Sequence, residues 1–417
     1  MTKIRVGYLA AVFPRATDTW IQRELAALRE ADVHIDTFAI RRPDAEHIVG
    51  SEQRDEQQKV SYILEAAKTP QLLTSHGQLL LRSPKKYLSA LKLAWDTKRD
   101  GVKGSLYQLF YFLEAGILAD ELLKRKVQHL HNHFADSGCT VSMLASELSG
   151  VPFSFTLHGP GIFFEAHTWR LDEKISRASF VACISYFCRS QAAVFADPAD
   201  VENLHIVHCG VNPDTLQPVD HEGPGSELLF VARLAELKGV SDLLNAAARL
   251  VPSHPKLHLK VIGDGPQRKR FEKLARELGL TEHVTFTGYQ SQSEVAAALQ
   301  DAHILVLPSY AEGVPVSLME ALACRVPVVA TQVGGVSELV EDEVNGFIVR
   351  PGDVDQLAER LNVLLANGSL RQKMGEAGRQ KTLSEFNNAT EARRLKQLFA
   401  NGLKGLPTPL RPELEDV

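Results

Sequence analysis

Two glutamates, Glu312 and Glu320, are separated by seven residues in the stretch YAEGVPVSLMEAL. The first follows a short apolar run, and a Gly-Val-Pro sequence comes directly after it. One carboxylate accepts hydrogen bonds from two neighbouring hydroxyls, so this pair is suited to holding two polyols, such as a sugar and a ribose. Two acids are also suited to general acid and base roles in glycoside hydrolysis. A surface acid followed by a locally paired one is the plainest alternative.

Two cations, Arg233 and Lys238, follow another apolar run, and Gly239 comes directly after the lysine. A loop that enters a helix offers free backbone N–H groups and the positive end of the helix dipole. An arginine can bind two oxygens of one anion at once. The loop therefore predicts a diphosphate site, with two solvated surface cations as the alternative.

Three glycine-containing turns follow apolar runs in the same half of the chain. They are G-D-G-P at 263–266, Gly288 with Tyr289, and a glycine pair at 334–335. Glycines allow another group to approach the backbone closely, although each of these may be simply a tight turn between a strand and a helix. None has the G-x-G-x-x-G spacing of a dinucleotide-binding turn, which argues against an NAD-dependent oxidoreductase.

Three histidines, His129, His131 and His133, alternate along a predicted strand and so point to one side of it. Alternating histidines can bind zinc, but no second group of ligands follows them. We therefore predict no metal site, and expect His131 or His133 to lie near a ligand at the strand end.

The composition excludes several functional classes. The 417 residues carry a net charge of −5, which argues against a general nucleic-acid binder. Five scattered cysteines without C-x-x-C pairs argue against a disulfide framework and favour a reducing cytosol. The short apolar start suits a buried parallel strand better than a signal peptide, and no run approaches the roughly 20 apolar residues of a membrane span.

Short apolar runs alternate with amphipathic stretches along most of the chain, which is the pattern of βαβ units and parallel sheets. A Pro- and Gly-rich stretch at 213–226 interrupts the pattern and reads as a linker. We predict an N-terminal domain over 1–212, a C-terminal domain over 227–383 and a returning helix with a tail over 384–417. Ligands of such sheets bind beyond the carboxyl ends of the strands, where most of the residues above lie.

The pattern is clearest in the C-terminal half. Strands are predicted at 227–232, 257–262, 283–286, 303–307 and 327–330. Helices are predicted at 239–251, 266–279, 291–300, 316–324 and 353–366.

A helical segment at 79–126 differs in charge from the rest of the chain. From 82 to 126 there are ten Lys or Arg against five Asp or Glu, within a chain that is acidic overall. A basic amphipathic insertion predicts contact with an anionic membrane surface or an anionic acceptor. The alternative is a pair of helices with lysine-rich outer faces.

The motifs together resemble those of a known family. ARLAELKG, VIGDGPQR, FTGY, PSYAEGVPVSLMEALACRVPVVAT and GGVSELVEDEVNGFIV occur in the order and spacing of retaining glycosyltransferases of family 4. The match covers nearly all of 227–383. The N-terminal half, with HNHFA and FTLHGPGIF, is similar more loosely to bacterial exopolysaccharide and colanic-acid-type members.

The resemblance implies the GT-B fold, in which two Rossmann-like domains with parallel sheets face each other across a cleft. It also implies transfer of a sugar from a nucleoside-diphosphate sugar to a hydroxyl of a saccharide or lipid-linked acceptor, in the biosynthesis of cell-surface polysaccharide. The enzyme would be a retaining hexosyltransferase that needs no cofactor or metal. The resemblance places it in the cytoplasm, with a peripheral site at the inner face of the membrane as a further expectation.

The resemblance also implies roles for individual residues. Arg233 and Lys238 would bind the diphosphate and stabilise the leaving group. Glu312 would contact the hydroxyls of the donor sugar, and Glu320 the ribose. His158 would lie beside the donor sugar and phosphate. The further donor contacts implied are Gly263, Gly288, Tyr289, Gly313, Val314 and Val316.

The acceptor loop departs from the family. Many relatives have a glycine pair where this chain has AAVFPRATDTW. We therefore assign the acceptor to Arg15, Thr19 and His133, with Arg15 suited to an acidic sugar or a lipid phosphate. An epimerase or hydrolase of the same fold is an alternative, as is a non-catalytic sensor of sugar nucleotides. A sensor would be expected to lack Arg233 or Glu312, and both are present.

Overall fold

The computed structural model describes residues 3–221 and 223–413. The chain forms two compact units. The first comprises residues 1–45, 52–208 and 389–417, and the second comprises 46–51 and 209–388. Of the predicted tail, residues 414–417 lie outside the described ranges.

Within the described residues, the first unit has one seven-stranded sheet in the order β3-β2-β1-β4-β5-β6-β7, with all neighbours parallel. Its strands are β1 Arg5–Val12, β2 His34–Arg41, β3 Ser61–Tyr62, β4 His129–His133, β5 Phe153–Leu157, β6 Val181–Cys183 and β7 Leu204–Ile206.

Helices cover this sheet. They are α1 Thr19–Glu30, α2 Ser51–Gln57, α3 Ile63–Ala67, α4 Gln71–Arg82, α5 Pro84–Asp96, α6 Gly101–Lys124, α7 Ser137–Ser149, α8 Gly161–Phe164, α9 Leu171–Arg177 and α10 Tyr186–Ala193. The predicted basic segment 79–126 therefore spans the end of α4, all of α5 and all of α6.

The second unit has a six-stranded parallel sheet in the order β10-β9-β8-β11-β12-β13, again counted over the described part of the chain. Its strands are β8 Glu227–Val231, β9 His258–Ile262, β10 Val284–Gly288, β11 Ile304–Leu307, β12 Val328–Thr331 and β13 Gly346–Val349. The helices that follow are α11 Val240–Leu250, α12 Arg268–Glu277, α13 Gln292–Asp301, α14 Val316–Ala323, α15 Val336–Leu339, α16 Val354–Ala366, α17 Gly368–Glu385 and α18 Asn388–Lys404.

The central strands show why this architecture follows from the sequence. β11 reads ILVL and β12 reads VVAT, and every residue of both is buried. Strands buried on both faces need continuous apolar runs, which is the usual composition of a parallel sheet between helix layers. The predicted α/β class with two parallel sheets is confirmed.

The last helix, α18, belongs to the first unit although it comes last in the chain. Its buried residues Leu395 and Phe399 join the core around Val6 and Phe180. The segment after it reaches β7, because the N–H of Ile206 donates to the carbonyl of Leu410 at 2.8 Å. The first unit is thus completed by residues from both ends of the sequence.

Two further sequence expectations can be compared with the coordinates. None of the five cysteines, which all lie in the described ranges, forms a disulfide, and all five are buried. No helix within the described ranges combines the length and the low polarity that crossing a membrane requires.

Candidate functional site

The loop after β8 holds the two predicted cations. It makes a short 3-10 turn over Glu236–Lys238 before α11 begins. Gly239 closes this turn with a φ of +66°, and a Cβ there would lie 1.9 Å from the carbonyl oxygen of Pro308. Only glycine permits that approach, so this residue fixes the loop after β8 against the loop after β11.

Lys238 and Glu312 contact each other. The Nζ of Lys238 lies 2.6 Å from Oε1 of Glu312, and the hydroxyl of Ser309 donates to the same oxygen at 2.6 Å. Ser309 is fully buried, and its own carbonyl accepts from the hydroxyl of Thr331. Glu312 is therefore a buried carboxylate held by a cation and a hydroxyl, a pairing that sequence reasoning missed because it assigned the two residues to different parts of the donor.

Arg233 has the opposite environment. Its side chain is exposed, and its guanidinium has no partner among the described residues. The second oxygen of Glu312, Oε2, likewise has no hydrogen-bond donor in the described ranges. A free guanidinium and a free carboxylate oxygen are available to a ligand at the carboxyl edge of one sheet, since β8 and β11 are neighbours.

Three backbone amides add to this edge. Within the described part of the chain, the N–H groups of Gly313, Val314 and Val316 donate to no protein acceptor. α14 begins at Val316, as predicted, and Pro315 precedes it. Free amides at the start of a helix favour an anion or a hydroxyl oxygen.

The loop after β12 supports the loop that holds Glu312. A Cβ on Gly334, whose φ is +54°, would lie 1.9 Å from the Glu312 carbonyl oxygen. The N–H of Gly335 donates to the carbonyl of Gly313 at 2.9 Å. These glycines are thus required because the loop after β12 passes close to the backbone of the loop that holds Glu312.

Glu320 is buried inside α14. Burial, with the charge of Glu320 as a second cause, raises the pKa of the Cys324 thiol to about 12. The thiol is therefore not a nucleophile at neutral pH.

Contacts within the chain explain the glycine turn after β9. A Cβ on Gly263, with a φ of +134°, would lie 2.0 Å from the carbonyl oxygen of Ala232. The N–H of Gly263 also donates to the carbonyl of Gly288 at 2.9 Å. The group that approaches Gly263 is the chain's own loop beside Arg233, so this glycine needs no ligand to account for it. Tyr289, beside Gly288, packs its ring against His47, with 5.0 Å between the ring centroids.

In the first unit, His133 and His158 come together at the carboxyl ends of β4 and β5. Nδ1 of His133 lies 3.0 Å from Nε2 of His158. Nε2 of His133 lies 3.2 Å from Oε1 of Glu24 on α1, and the hydroxyl of Tyr8 donates to that same oxygen. The ring of Trp20 packs 4.1 Å from that of His158.

Glu24, Tyr8 and Trp20 were missed by sequence reasoning. Trp20 and Glu24 are four residues apart on α1, so they lie on one helix face, and that spacing is the signal that would have paired them. Their proximity to the histidines depends on how α1 packs on the sheet, which the motifs do not contain.

Burial governs the protonation of this cluster. It lowers the pKa of His158 well below the usual range for histidine, and the neighbouring His133 adds to the effect. It likewise lowers the pKa of His131 and brings that of His129 to about 3. These three rings are therefore neutral at pH 7.

Glu24, His131 and His133 have ligand atoms within 4.8 Å of one another, the most compact metal-like grouping in the described residues. Both ring nitrogens of His131 are already used, by the hydroxyl of Ser154 at 2.8 Å and by that of Thr156 at 2.9 Å. The grouping does not offer three free ligand atoms, so its chemistry fits a hydrogen-bonded cluster better than a metal site.

The predicted acceptor loop is held by its own ion pair. Nε and Nη2 of Arg15 donate to the two carboxylate oxygens of Asp18 at 2.8 and 3.0 Å, and Asp18 is buried. Thr19 is the first residue of α1. The charge of Arg15 is thus compensated within the loop, and its contact with an acceptor stays a prediction.

The sequence of this chain is similar to those of known glycosyltransferases. Residues 214–381 match the family model described as glycosyl transferases group 1. The putative colanic acid biosynthesis glycosyltransferase WcaL of Escherichia coli (strain K12) is 24% identical, over 95% of this chain and 99% of its own length. The alpha-D-kanosaminyltransferase of Streptomyces kanamyceticus is 29% identical, over 61% of this chain and 72% of its own.

Solved structures share the fold. Sucrose-phosphate synthase from Thermosynechococcus elongatus superposes with a TM-score of 0.75 and 19% identity, over 97% of this chain and 100% of that one. The Anabaena protein Alr3699/HepE in complex with UDP-glucose has a TM-score of 0.70 and 16% identity, with the same coverage. The resemblance to colanic-acid-type glycosyltransferases and the GT-B fold are confirmed.

Proposed function

We propose that this chain, a glycosyltransferase of group 1, moves a sugar from a nucleoside-diphosphate sugar to a hydroxyl of a saccharide or lipid-linked acceptor, with retention at the anomeric carbon. The observation that carries the proposal is the edge of the second sheet. There Arg233, the Lys238–Glu312 pair and the amides of Gly313, Val314 and Val316 present unsatisfied groups that suit a diphosphate joined to a polyol.

Each group has a part of the donor to bind. Arg233 is suited to two diphosphate oxygens at once, and the amides before α14 suit further oxygens. Glu312 would accept a sugar hydroxyl at its free oxygen while Lys238 holds the other. Glu320 would hold the ribose, with Gly288 and Tyr289 beside the base. That the Anabaena structure is described with UDP and UDP-glucose supports a nucleoside diphosphate.

Charge stabilisation drives the proposed reaction. As the bond between sugar and phosphate lengthens, negative charge grows on the leaving phosphate, and cations fixed beforehand stabilise it. Lys238, which is paired with Glu312, would also bind the leaving phosphate and so couple the sugar-binding acid to the leaving group. The acceptor hydroxyl attacks from the face that the leaving group vacates and gives its proton to a phosphate oxygen. Side chains supply the positive charge, and no metal is required.

The histidine cluster is proposed to set the orientation of His158. The carboxylate of Glu24 favours a proton on Nε2 of His133, so that Nδ1 of His133 accepts from Nε2 of His158. A neutral His158 held in one tautomer can serve a sugar hydroxyl or a phosphate without adding charge. The family resemblance assigns it that role.

The acceptor and the cellular setting belong to the same proposal. The relation to a colanic acid biosynthesis enzyme supports a polysaccharide or its lipid-linked precursor as acceptor. Arg15, Thr19 and His133 remain the candidate contacts. Unpaired cysteines support a reducing, cytoplasmic location.

The experiment is incubation of the full chain with UDP-, GDP- and ADP-sugars and saccharide acceptors, with a chelator present. We expect release of one nucleoside diphosphate, undiminished by the chelator, and a product whose anomeric coupling in proton NMR matches that of the donor. An inverted anomer would overturn retention. Nucleotide release without a transferred sugar would favour the epimerase or hydrolase alternative, and no turnover of any donor would contradict the proposal.

A further inference from the structure

Helix α5 leaves an apolar stripe at the surface of the first unit. Leu88, Leu91 and Trp95 follow a spacing of three and four residues, which puts them on one face of the helix. Leu88 is 60% exposed and Trp95 67% exposed. The opposite face is the buried one, with Ala90, Leu93 and Ala94 in the core. The stripe is therefore a second apolar face that the fold does not use.

The neighbouring helices repeat this arrangement. On α6, Val102 is 89% exposed, and Leu106 and Leu109 continue its stripe while Gly104, Gln108 and Phe112 are buried on the other side. On α4, Leu73 and Leu81 are 78% and 85% exposed. Three consecutive helices thus share one design, with one face buried against neighbouring helices and an exposed apolar stripe elsewhere.

This concentration is far above that in the rest of the chain. Of the 22 exposed large hydrophobic residues among the described ones, eleven lie between 73 and 110. Half of them therefore occupy 38 of 417 residues. Single exposed hydrophobic residues are ordinary, but a cluster of this kind marks an interaction surface. We call the exposed side chains of 73–110 on these three helices the α4–α6 surface.

Positive charge is interleaved with the stripes. Between 71 and 113 there are seven Lys or Arg against two Asp, whereas the whole chain has a charge of −5. The Nζ of Lys98 lies 4.8 Å from the centre of the Trp95 ring, and that of Lys103 lies 5.7 Å from the centre of the Tyr107 ring. Lysines beside exposed aromatic rings place ammonium groups where lipid phosphates can bind them, while the neighbouring apolar side chains enter the acyl layer.

We propose that the α4–α6 surface docks onto an anionic lipid membrane. The stripes would enter the boundary between headgroups and acyl chains, and the lysines would bind lipid phosphates. The positive charge of the α4–α6 surface favours an anionic membrane over the other possible partners. A second copy of the surface would bring like charges together, and an acidic partner without an apolar layer would leave the leucines and Trp95 exposed. The proposal concerns binding alone and holds whether or not the transfer reaction does.

The test is co-sedimentation of the full chain with vesicles of phosphatidylcholine containing a quarter phosphatidylglycerol, compared with phosphatidylcholine alone. One variant removes the stripe (Leu88→Gln, Leu91→Gln and Trp95→Gln). A second removes charge (Lys85→Gln, Lys92→Gln and Lys103→Gln). The matched control changes two hydrophobic residues that are exposed elsewhere, Val194→Gln and Val344→Gln. All of these positions are on the surface, so circular dichroism should show that the variants fold.

We expect the chain to bind the anionic vesicles and to lose binding in high salt. Each cation near an anionic surface contributes roughly fivefold, so the charge variant should bind at least about tenfold more weakly. The stripe variant should lose at least as much, and the control should bind as the native chain does. Equal binding to both vesicle types, no binding, or variants that bind normally would overturn the proposal. Self-association in sedimentation velocity that only the stripe variant abolishes would assign the surface to a second copy instead.

Discussion

The two units of the chain present polar groups at the carboxyl ends of their sheets in opposite ways. In the second unit, Arg233 is exposed and Glu312 keeps one oxygen free at an open edge built from glycine turns. In the first unit, His133 and His158 are buried against Trp20 and a carboxylate. One edge presents formal charge that a ligand can reach, and the other presents buried rings held in fixed orientation by their neighbours. Polar groups at a sheet edge can thus be positioned by the conformation of glycine turns, as in the second unit, or by the packing of side chains, as in the first.

The largest expected difference between the units is their response to acid. His129, His131 and His158 have pKa values lowered by burial, so the unfolded first unit binds more protons than the folded one below about pH 6.5. Its unfolding free energy should therefore fall as the pH falls from 7 to 5. Glu114, whose pKa burial raises to about 7, opposes this trend.

Tryptophan fluorescence can measure this loss in the first unit alone, since Trp20, Trp95 and Trp169 all belong to it. Urea unfolding at pH 7, 6 and 5 should give a midpoint that falls steadily. A midpoint that stays constant or rises over this range would show that the cluster is not buried and neutral.

The glycine turns at the carboxyl edge of the second sheet can be disrupted by a substitution at Gly239. Gly239→Ala should lower the unfolding free energy by about 3 kcal/mol, because the left-handed backbone is strained for alanine and the new Cβ meets the Pro308 carbonyl. Gly279→Ala is the matched control, since its φ of +71° is similar but nothing lies within 4 Å. It should lose only about 1 kcal/mol in a calorimetric comparison. Equal losses of unfolding free energy in the two variants would show that the contact between the new Cβ and the Pro308 carbonyl does not contribute.

Charge at the same edge is tested by Lys238→Ala. Transfer should fall at least about 100-fold, because a cation placed for the transition state is lost and Glu312 keeps its charge without a counter-ion. Lys273→Ala, on exposed α12, is the control and should keep native rates. Near-native turnover of the first variant would exclude Lys238 from the reaction.

The first unit should respond more weakly to a change of charge. Glu24→Gln keeps the shape of the side chain but removes the carboxylate charge 3.2 Å from Nε2 of His133, so we expect a roughly tenfold loss of transfer, the scale of one lost charge contact. Glu30→Gln, exposed on the same helix, should have no effect. The pH dependence of kcat should also change in Glu24→Gln, which a purely structural loss would not cause.

The strands of the second unit were largely predictable from the sequence, whereas the side-chain contacts at the edge of the first sheet were not. Predicted strands at 227–232 and 303–307 agree within one residue with β8 and β11, since each is an apolar run ended by a turn. The strand β13 was missed because its apolar run, Phe347–Val349, is only three residues long and follows a turn directly. The motif residues of this unit lie directly after short apolar strands. Their positions at the sheet edge could therefore be predicted from their spacing in the sequence.

Contacts between elements could not be predicted in the same way. The Lys238–Glu312 pair joins residues 74 positions apart, and the cluster around His158 takes groups from β1, α1, β4 and the loop after β5. The pattern of the sequence gives each element its apolar face but not the angle at which α1 lies on the sheet. The packing of α18 into the first unit is of the same kind, because its partners lie near the start of the chain.

Binding of the donor's diphosphate at Arg233 is the central claim, and calorimetric melting with UDP, GDP and ADP tests it most directly. A ligand present at about 100 times its dissociation constant stabilises the folded state by about 2.7 kcal/mol. We predict that at least one of the three nucleotides raises the melting temperature by several degrees, that Arg233→Ala removes most of the rise, and that Lys273→Ala keeps it. Stabilisation by none of the three, or a full rise in Arg233→Ala, would contradict the account.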